Sequence, residues 1–143
     1  MKKIAIGSDH AGYSLKQALI TYLKSMSYEV VDFGTNSEDR ADYPDYAHPV
    51  AEAIERKEFE FAVLICGSAN GISMTANKHQ GVRCAICWKP EIATLARAHN
   101  DANIISFPAR FITLEDAISG LNEFLNTKFE GGRHTGRVDK ISC

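Results

Sequence analysis

The 143-residue sequence predicts a single-domain α/β fold: a three-layer sandwich around a doubly wound five-stranded parallel sheet, Rossmann-like in its layering. Three observations predict it. Short, nearly all-apolar runs recur along the chain, as strands covered on both faces require. Stretches with helical spacing of apolar residues separate them, which is the alternation that builds a parallel sheet. The length also fits one hydrophobic core, since domains usually run to about 100–150 residues.

The elements follow in order. Ile4-Ala5-Ile6-Gly7 reads as a buried strand, and after a turn at 9–12 the spacing of Leu15, Ala18, Leu19, Tyr22, Leu23 and Met26 makes one helix face. Glu29-Val30-Val31-Asp32-Phe33 is the second strand, stopped by Gly34 and followed by a polar loop over 35–45 and a helix over 46–57. Phe61-Ala62-Val63-Leu64-Ile65-Cys66 is the clearest apolar run and reads as central; the turn at 67–71 leads into a helix through Met74, Ala76 and Lys78. A fourth strand spans 82–87, Pro90 opens a helix that reaches His99, and Asn103-Ile104-Ile105-Ser106-Phe107 is the fifth strand. Thr113 caps the last helix, whose apolar side carries Leu114, Ala117, Ile118, Leu121, Phe124 and Leu125. The segment 129–139 is too rich in Gly and charge to form core, so order there requires packing on another surface or a ligand.

Composition narrows the function. With 16 Lys+Arg against 18 Asp+Glu the net charge is -2, which supplies no overall positive field for nucleic acid. No window approaches the roughly 18 apolar residues of a membrane span, and Asp9 and His10 interrupt the first apolar run too early for a signal peptide. A cytoplasmic location is the expectation. The four cysteines do not form a secreted disulfide framework, because a chain of this size builds a core without staples.

Ligands of open α/β sheets bind beyond the carboxyl ends of the strands, which places Asp9-His10, loop 35–45, the segment 66–71, Trp88-Lys89 and the segment 107–110 on one rim. Cys66 ends the central strand there. Successive backbone N–H groups of Gly67-Ser68-Ala69-Asn70-Gly71 form an anion nest beside its thiol, which favours a thiolate and a developing oxyanion alike. Spacing alone fits a packed cysteine before a glycine turn equally well. Cys84 and Cys87 are three residues apart on a strand, so their side chains face opposite ways and neither redox nor metal use is expected. His99, beside Asn100, is expected on the rim as a group able to donate a proton near neutral pH; an exposed histidine is the even alternative. Asp9 either pairs with His10 or caps the following helix. His48 and His79 lack liganding spacing, and no cluster suggests a metal cage. Arg133 and Arg137, with Arg110, suit the paired hydrogen bonds of a monophosphate.

Taken together, Ile6-Gly7-Ser8-Asp9-His10-Ala11-Gly12, Asp42-Tyr43-Pro44, Cys66-Gly67-Ser68-Ala69-Asn70-Gly71-Ile72-Ser73-Met74, Ala76-Asn77-Lys78, Arg97-Ala98-His99-Asn100-Asp101-Ala102-Asn103 and Glu130-Gly131-Gly132-Arg133-His134 closely resemble the family of ribose-5-phosphate isomerase B and related sugar-phosphate isomerases, which includes galactose-6-phosphate isomerase subunits. The likeness covers essentially the whole chain. It implies interconversion of D-ribose 5-phosphate and D-ribulose 5-phosphate through a cis-enediolate, in the non-oxidative pentose phosphate pathway, with no metal or cofactor. Cys66 is implied as the base, Ser68 as a contact to the reacting oxygens, and His99 as the group assisting ring opening. The same resemblance implies that Asp9, Tyr43 and Asn100 lie near the sugar, that backbone of Gly67, Ala69, Asn70 and Gly71 holds negative charge, and that His10, Arg110, Arg133 and Arg137 surround the phosphate. It further implies a homodimer with intersubunit sites, tetramers in some relatives, and a tail, residues 128–143, packed at a subunit interface. Ala69 stands where the family commonly has Gly. Its methyl group is expected to demand a negative φ or a shifted loop.

Overall fold

The computed structural model describes residues 2–143. Strands β1 (Lys3–Ser8), β2 (Glu29–Asp32), β3 (Ala62–Cys66), β4 (Cys84–Ile86) and β5 (Ile104–Pro108) alternate with helices α1 (Tyr13–Ser25), α2 (Tyr43–Glu55), α3 (Asn70–Ala76), α4 (Pro90–Ala98) and α5 (Leu114–Asn126), and α6 (Arg133–Asp139) follows. The strands form one parallel sheet in the order β2-β1-β3-β5-β4. After β1 the chain winds toward one edge, and after β3 toward the other. The connections therefore part between β1 and β3, which opens a crevice at their carboxyl ends.

Side-chain alternation along each strand divides the core in two. Ile4, Ile6, Val63, Ile65, Ile105 and Phe107 face Leu19, Leu23, Ala93, Leu121 and Phe124 of α1, α4 and α5. Ala5, Leu64, Cys66 and Ile104 face Val50, Ile54, Ile72 and Ala76 of α2 and α3. Both faces are covered, which is why β3 is buried at every position and apolar throughout. Gly12 lets α1 start close against β3, because a Cβ there would lie 2.7 Å from the Ile65 carbonyl oxygen.

Cys84 and Cys87 obey the same alternation: Cys84 packs on the α2/α3 core and Cys87 is buried in the other. Burial pushes the Cys84 thiol up to about 11 and the Cys87 thiol up to about 12. Both stay protonated at neutral pH, with the sheet between them. Iodoacetamide at pH 7 is expected to label exposed Cys143 and to spare Cys84 and Cys87 in the native protein. Mass spectrometry showing fast labelling of either buried thiol would contradict this packing.

Three differences from the sequence reading exceed a residue or so at an element's end. Helix α2 begins at Tyr43 rather than at 46, because Pro44 in its first turn pre-sets a helical φ and its missing N–H leaves no donor unpaired. Strand β4 keeps only Cys84–Ile86 of 82–87, as the sheet's edge it pairs on one side alone. The Gly-rich tail, expected to contribute nothing to the interior, carries α6 and buries His134 to 6 % exposure. Its anchor is local: the Glu130 N–H donates to the Ala98 carbonyl at 3.0 Å, joining the tail to the end of α4.

Candidate active site

Four connections meet at the crevice. Asp9 is buried after β1 and accepts the Gly12 N–H at 3.1 Å, which turns the chain into α1. His10 Nδ1 lies 3.2 Å from the Ala41 backbone nitrogen, so its ring is tied to the loop before α2. From β3, Cys66 is 4 % exposed, and its carbonyl accepts the Ala109 N–H at 2.9 Å while that of Gly67 accepts the Arg110 N–H at 3.0 Å. The loops after β3 and β5 are thereby laced together.

Glycine at two positions admits the larger side chains around this loop. A Cβ on Gly67 would sit 3.0 Å from Arg110 Nη1, and one on Gly71 would run into the Tyr43 ring. The guanidinium and the phenol thus rest directly on the backbone that follows Cys66. Ser68 and Asn70 are exposed, with the Asn70 N–H donating to Ser68 Oγ at 3.3 Å.

Ala69 corrects an expectation. It keeps the left-handed conformation, φ 66°, with its methyl fully buried, so the backbone does not take the negative φ expected for a side chain there. Returning it to Gly relieves about 1–2 kcal/mol of local strain, which is offset by about 0.4–1 kcal/mol of unfolded-chain entropy and about 0.8 kcal/mol of lost methyl burial. Ala69→Gly is therefore expected to leave stability nearly unchanged. Ala69→Val, β-branched and oversized, is expected to cost about 2–5 kcal/mol, read from the denaturation midpoint.

His99 and Asn100 also stand elsewhere than expected. A helix following a parallel strand runs back along it, so α4 ends at the amino edge of the sheet and not on the rim. Asn103, just beyond, accepts the Ala62 N–H at the start of β3 at 3.1 Å. The five residues of β3 span about 16 Å, which keeps His99 and Cys66 of one chain apart.

This second cluster is well braced. Arg97, 8 % exposed, donates to Asp101 Oδ1 at 2.9 Å, to the Ala102 carbonyl at 2.7 Å and to the Thr127 carbonyl at 3.3 Å, and lies 4.8 Å from the Phe61 ring centre. A basic residue in the last turn of a helix normally reads as solvated, so no sequence signal marked it. The His99 ring stacks on His134 at 4.2 Å and 14°. Glu130 Oε1 lies 3.9 Å from His99 Nε2 and 3.6 Å from His134 Nε2. One donor atom from each of the three falls within 4.8 Å of the others, a grouping that residues distant in sequence gave no reason to expect. His48 and His79, without liganding spacing, nonetheless meet at 2.7 Å, and His79 pairs with Glu55. Arg133 and Arg137 are exposed one turn apart on α6.

The residues singled out from the sequence therefore fall into two groups. Asp9, His10, Tyr43, Cys66, Gly67, Ser68, Ala69, Asn70, Gly71 and Arg110 share the carboxyl-end crevice, whereas His99, Asn100, Arg133 and Arg137 occupy the opposite end.

Burial lowers the His134 pKa, helped by neighbouring His99 and Arg133. The unfolded chain then takes up a proton that the folded chain refuses, so stability falls as pH drops below the ordinary imidazole range. Thermal denaturation at pH 7 and pH 5 is expected to show a drop that His134→Phe reduces. An equal drop in that variant would contradict the assignment.

Residues 4–141 match the sequence model of the Ribose/Galactose Isomerase family. The chain belongs to the ribose/galactose isomerase family. Within that family it is 44% identical over 143 residues to ribose-5-phosphate isomerase B of Escherichia coli (strain K12), covering 100% of this chain and 96% of that protein. Among solved structures, ribose 5-phosphate isomerase of Thermotoga maritima is similar at a TM-score of 0.97 and 47% identity, covering 99% of this chain and 97% of that one. Ribose-5-phosphate isomerase B of Mycoplasma genitalium, solved with bound ribulose-5-phosphate, matches at 0.92 and 40%, covering 97% and 93%. As in the sequence reading, no helix among the described residues is long and apolar enough to cross a membrane.

Proposed function

We propose that this member of the ribose/galactose isomerase family interconverts D-ribose 5-phosphate and D-ribulose 5-phosphate, using its own side chains without a metal or nicotinamide cofactor. The observation that carries the reading is Cys66, ending β3 at the crevice beneath a loop on which Arg110 and Tyr43 rest. The relative solved with ribulose-5-phosphate supports the substrate.

The reaction needs two proton movements. His99 gives a proton to the ring oxygen, and the C1–O bond to that oxygen breaks as the C1 hydroxyl passes its proton to solvent water, which exposes the aldehyde. Cys66 as thiolate then takes the C2 proton, and the electron pair moves to form the enediolate. Its charge rests on the Ser68 hydroxyl and the backbone N–H groups over 67–71. Return of the proton to C1, with proton transfer between the two oxygens, yields the ketose. Asp9, Tyr43 and Asn100 hold sugar oxygens; His10, Arg110, Arg133 and Arg137 hold the phosphate, the guanidinium pairs matching its geometry.

Since the two groups lie at opposite ends of one chain, a complete site takes its second half from another copy. A two-fold homodimer brings the crevice of one subunit against the His99 end of its partner and makes two equal sites. In this reading residues 1–143 are one domain, and the segment 128–143 packs at that interface. Four free cysteines support a reducing, cytoplasmic setting.

The test supplies purified protein with ribose 5-phosphate and, separately, with allose 6-phosphate. Preferential formation of ribulose 5-phosphate is the expected result. Product from allose 6-phosphate alone would move the assignment to a six-carbon aldose, and no product from either would overturn it.

A further inference from the structure

Three features of the amino-end cluster have no part in the reaction scheme above. Among the described residues, His134 Nε2 is buried with no hydrogen-bond partner. Its ring lies flat against His99, and Glu130, whose side chain is 57 % exposed, places one oxygen near both Nε2 atoms. The three groups offer the donor set of a dication site. Rings in nearly parallel planes 4.2 Å apart, however, cannot both aim a lone pair at one ion without unstacking. The arrangement suits a shared proton instead.

Two imidazolium ions in face-to-face contact repel, so the stacked rings disfavour a double positive charge. Burial of His134 disfavours charge on its ring, whereas the His99 side chain is 36 % exposed and open to a substrate. The other charged groups nearby do not reverse this. Arg133 and Arg137 of α6 disfavour a second cation at His134, and Arg97 is already paired with Asp101.

We propose that Glu130 and His134 are positioning residues for ring opening: the carboxylate faces Nε2 of His99 and orients it, and the buried ring fixes the plane of the imidazole that delivers the proton. The proposal rests on the reading of His99 as the ring-opening acid. It assigns to two residues of the tail a part in one step only, since ribulose 5-phosphate is already open-chain.

The experiment uses that difference. In deuterated water, NMR follows conversion of ribose 5-phosphate and, separately, exchange of the C1 hydrogen of ribulose 5-phosphate, for the wild type, His99→Asn, Glu130→Gln and His134→Phe. Phe keeps the stack and removes the ring nitrogens; Glu130→Gln changes an exposed side chain and keeps the protein folded if the buried substitution does not. Glu130→Gln and His134→Phe are expected to slow conversion of the cyclic sugar about tenfold and leave ribulose exchange unchanged. If His99→Asn shows the split and Glu130→Gln does not, the proposal is overturned. If His99→Asn slows both reactions equally, the underlying reading of His99 fails instead.

Discussion

Cys66→Ala is expected to cut conversion of ribose 5-phosphate by about 10²–10⁴-fold, the usual contribution of a positioned acid–base group. Exchange of the C1 hydrogen of ribulose 5-phosphate falls with it, because both reactions pass through the same enediolate. Binding should survive, since the phosphate and sugar contacts lie on other residues. The fold should survive as well: Cys66 is a small side chain at the end of β3, whose carbonyl accepts the Ala109 N–H in a main-chain bond that does not involve the sulfur. Calorimetric binding of ribose 5-phosphate by a folded but inactive variant is the predicted combination. Retained hydrogen exchange would remove Cys66 from the base role.

Mixing two inactive variants should restore activity. Cys66→Ala lacks the base and His99→Asn lacks the ring-opening acid, so each homodimer is impaired at both sites. In a mixed dimer one site combines Cys66 from the His99→Asn subunit with His99 from the Cys66→Ala subunit, and the other combines both defects. Random exchange makes half the dimers mixed, so activity should recover to roughly a quarter of wild type. The effect is large because the starting point is near zero. No recovery after verified subunit exchange would mean that both groups act within one chain, which the span of β3 opposes.

Much of this architecture was legible because burial imposes it on sequence. β3 is enclosed on both faces, so it is written as an unbroken apolar run, and the offset between Cys84 and Cys87 gave their opposite orientation by period alone. The rim residues were legible for a related reason, since a parallel sheet fixes where the loops after β1 and β3 must lie. His99 carries no residue-level sign of which end of the sheet it occupies; helix direction decides it, since a helix after a parallel strand carries its last residue back to the amino edge. The tail's order is not legible because it depends on a few directed contacts, such as Glu130 to Ala98, and on burial of a single His134. Neither has a periodic signature. Ala69 shows the limit of residue type as a guide to backbone, because a fully packed loop keeps a positive φ at a non-glycine residue for a modest cost.

The most direct test of the central claim is proton NMR of the purified protein converting ribose 5-phosphate in deuterated water. The account predicts ribulose 5-phosphate carrying deuterium at C1, introduced when the proton taken from C2 exchanges with solvent before its return. Ribulose 5-phosphate that never gains deuterium at C1, even on prolonged incubation with the enzyme, would contradict a solvent-exchangeable thiol base. Absence of ribulose 5-phosphate would contradict the isomerase itself.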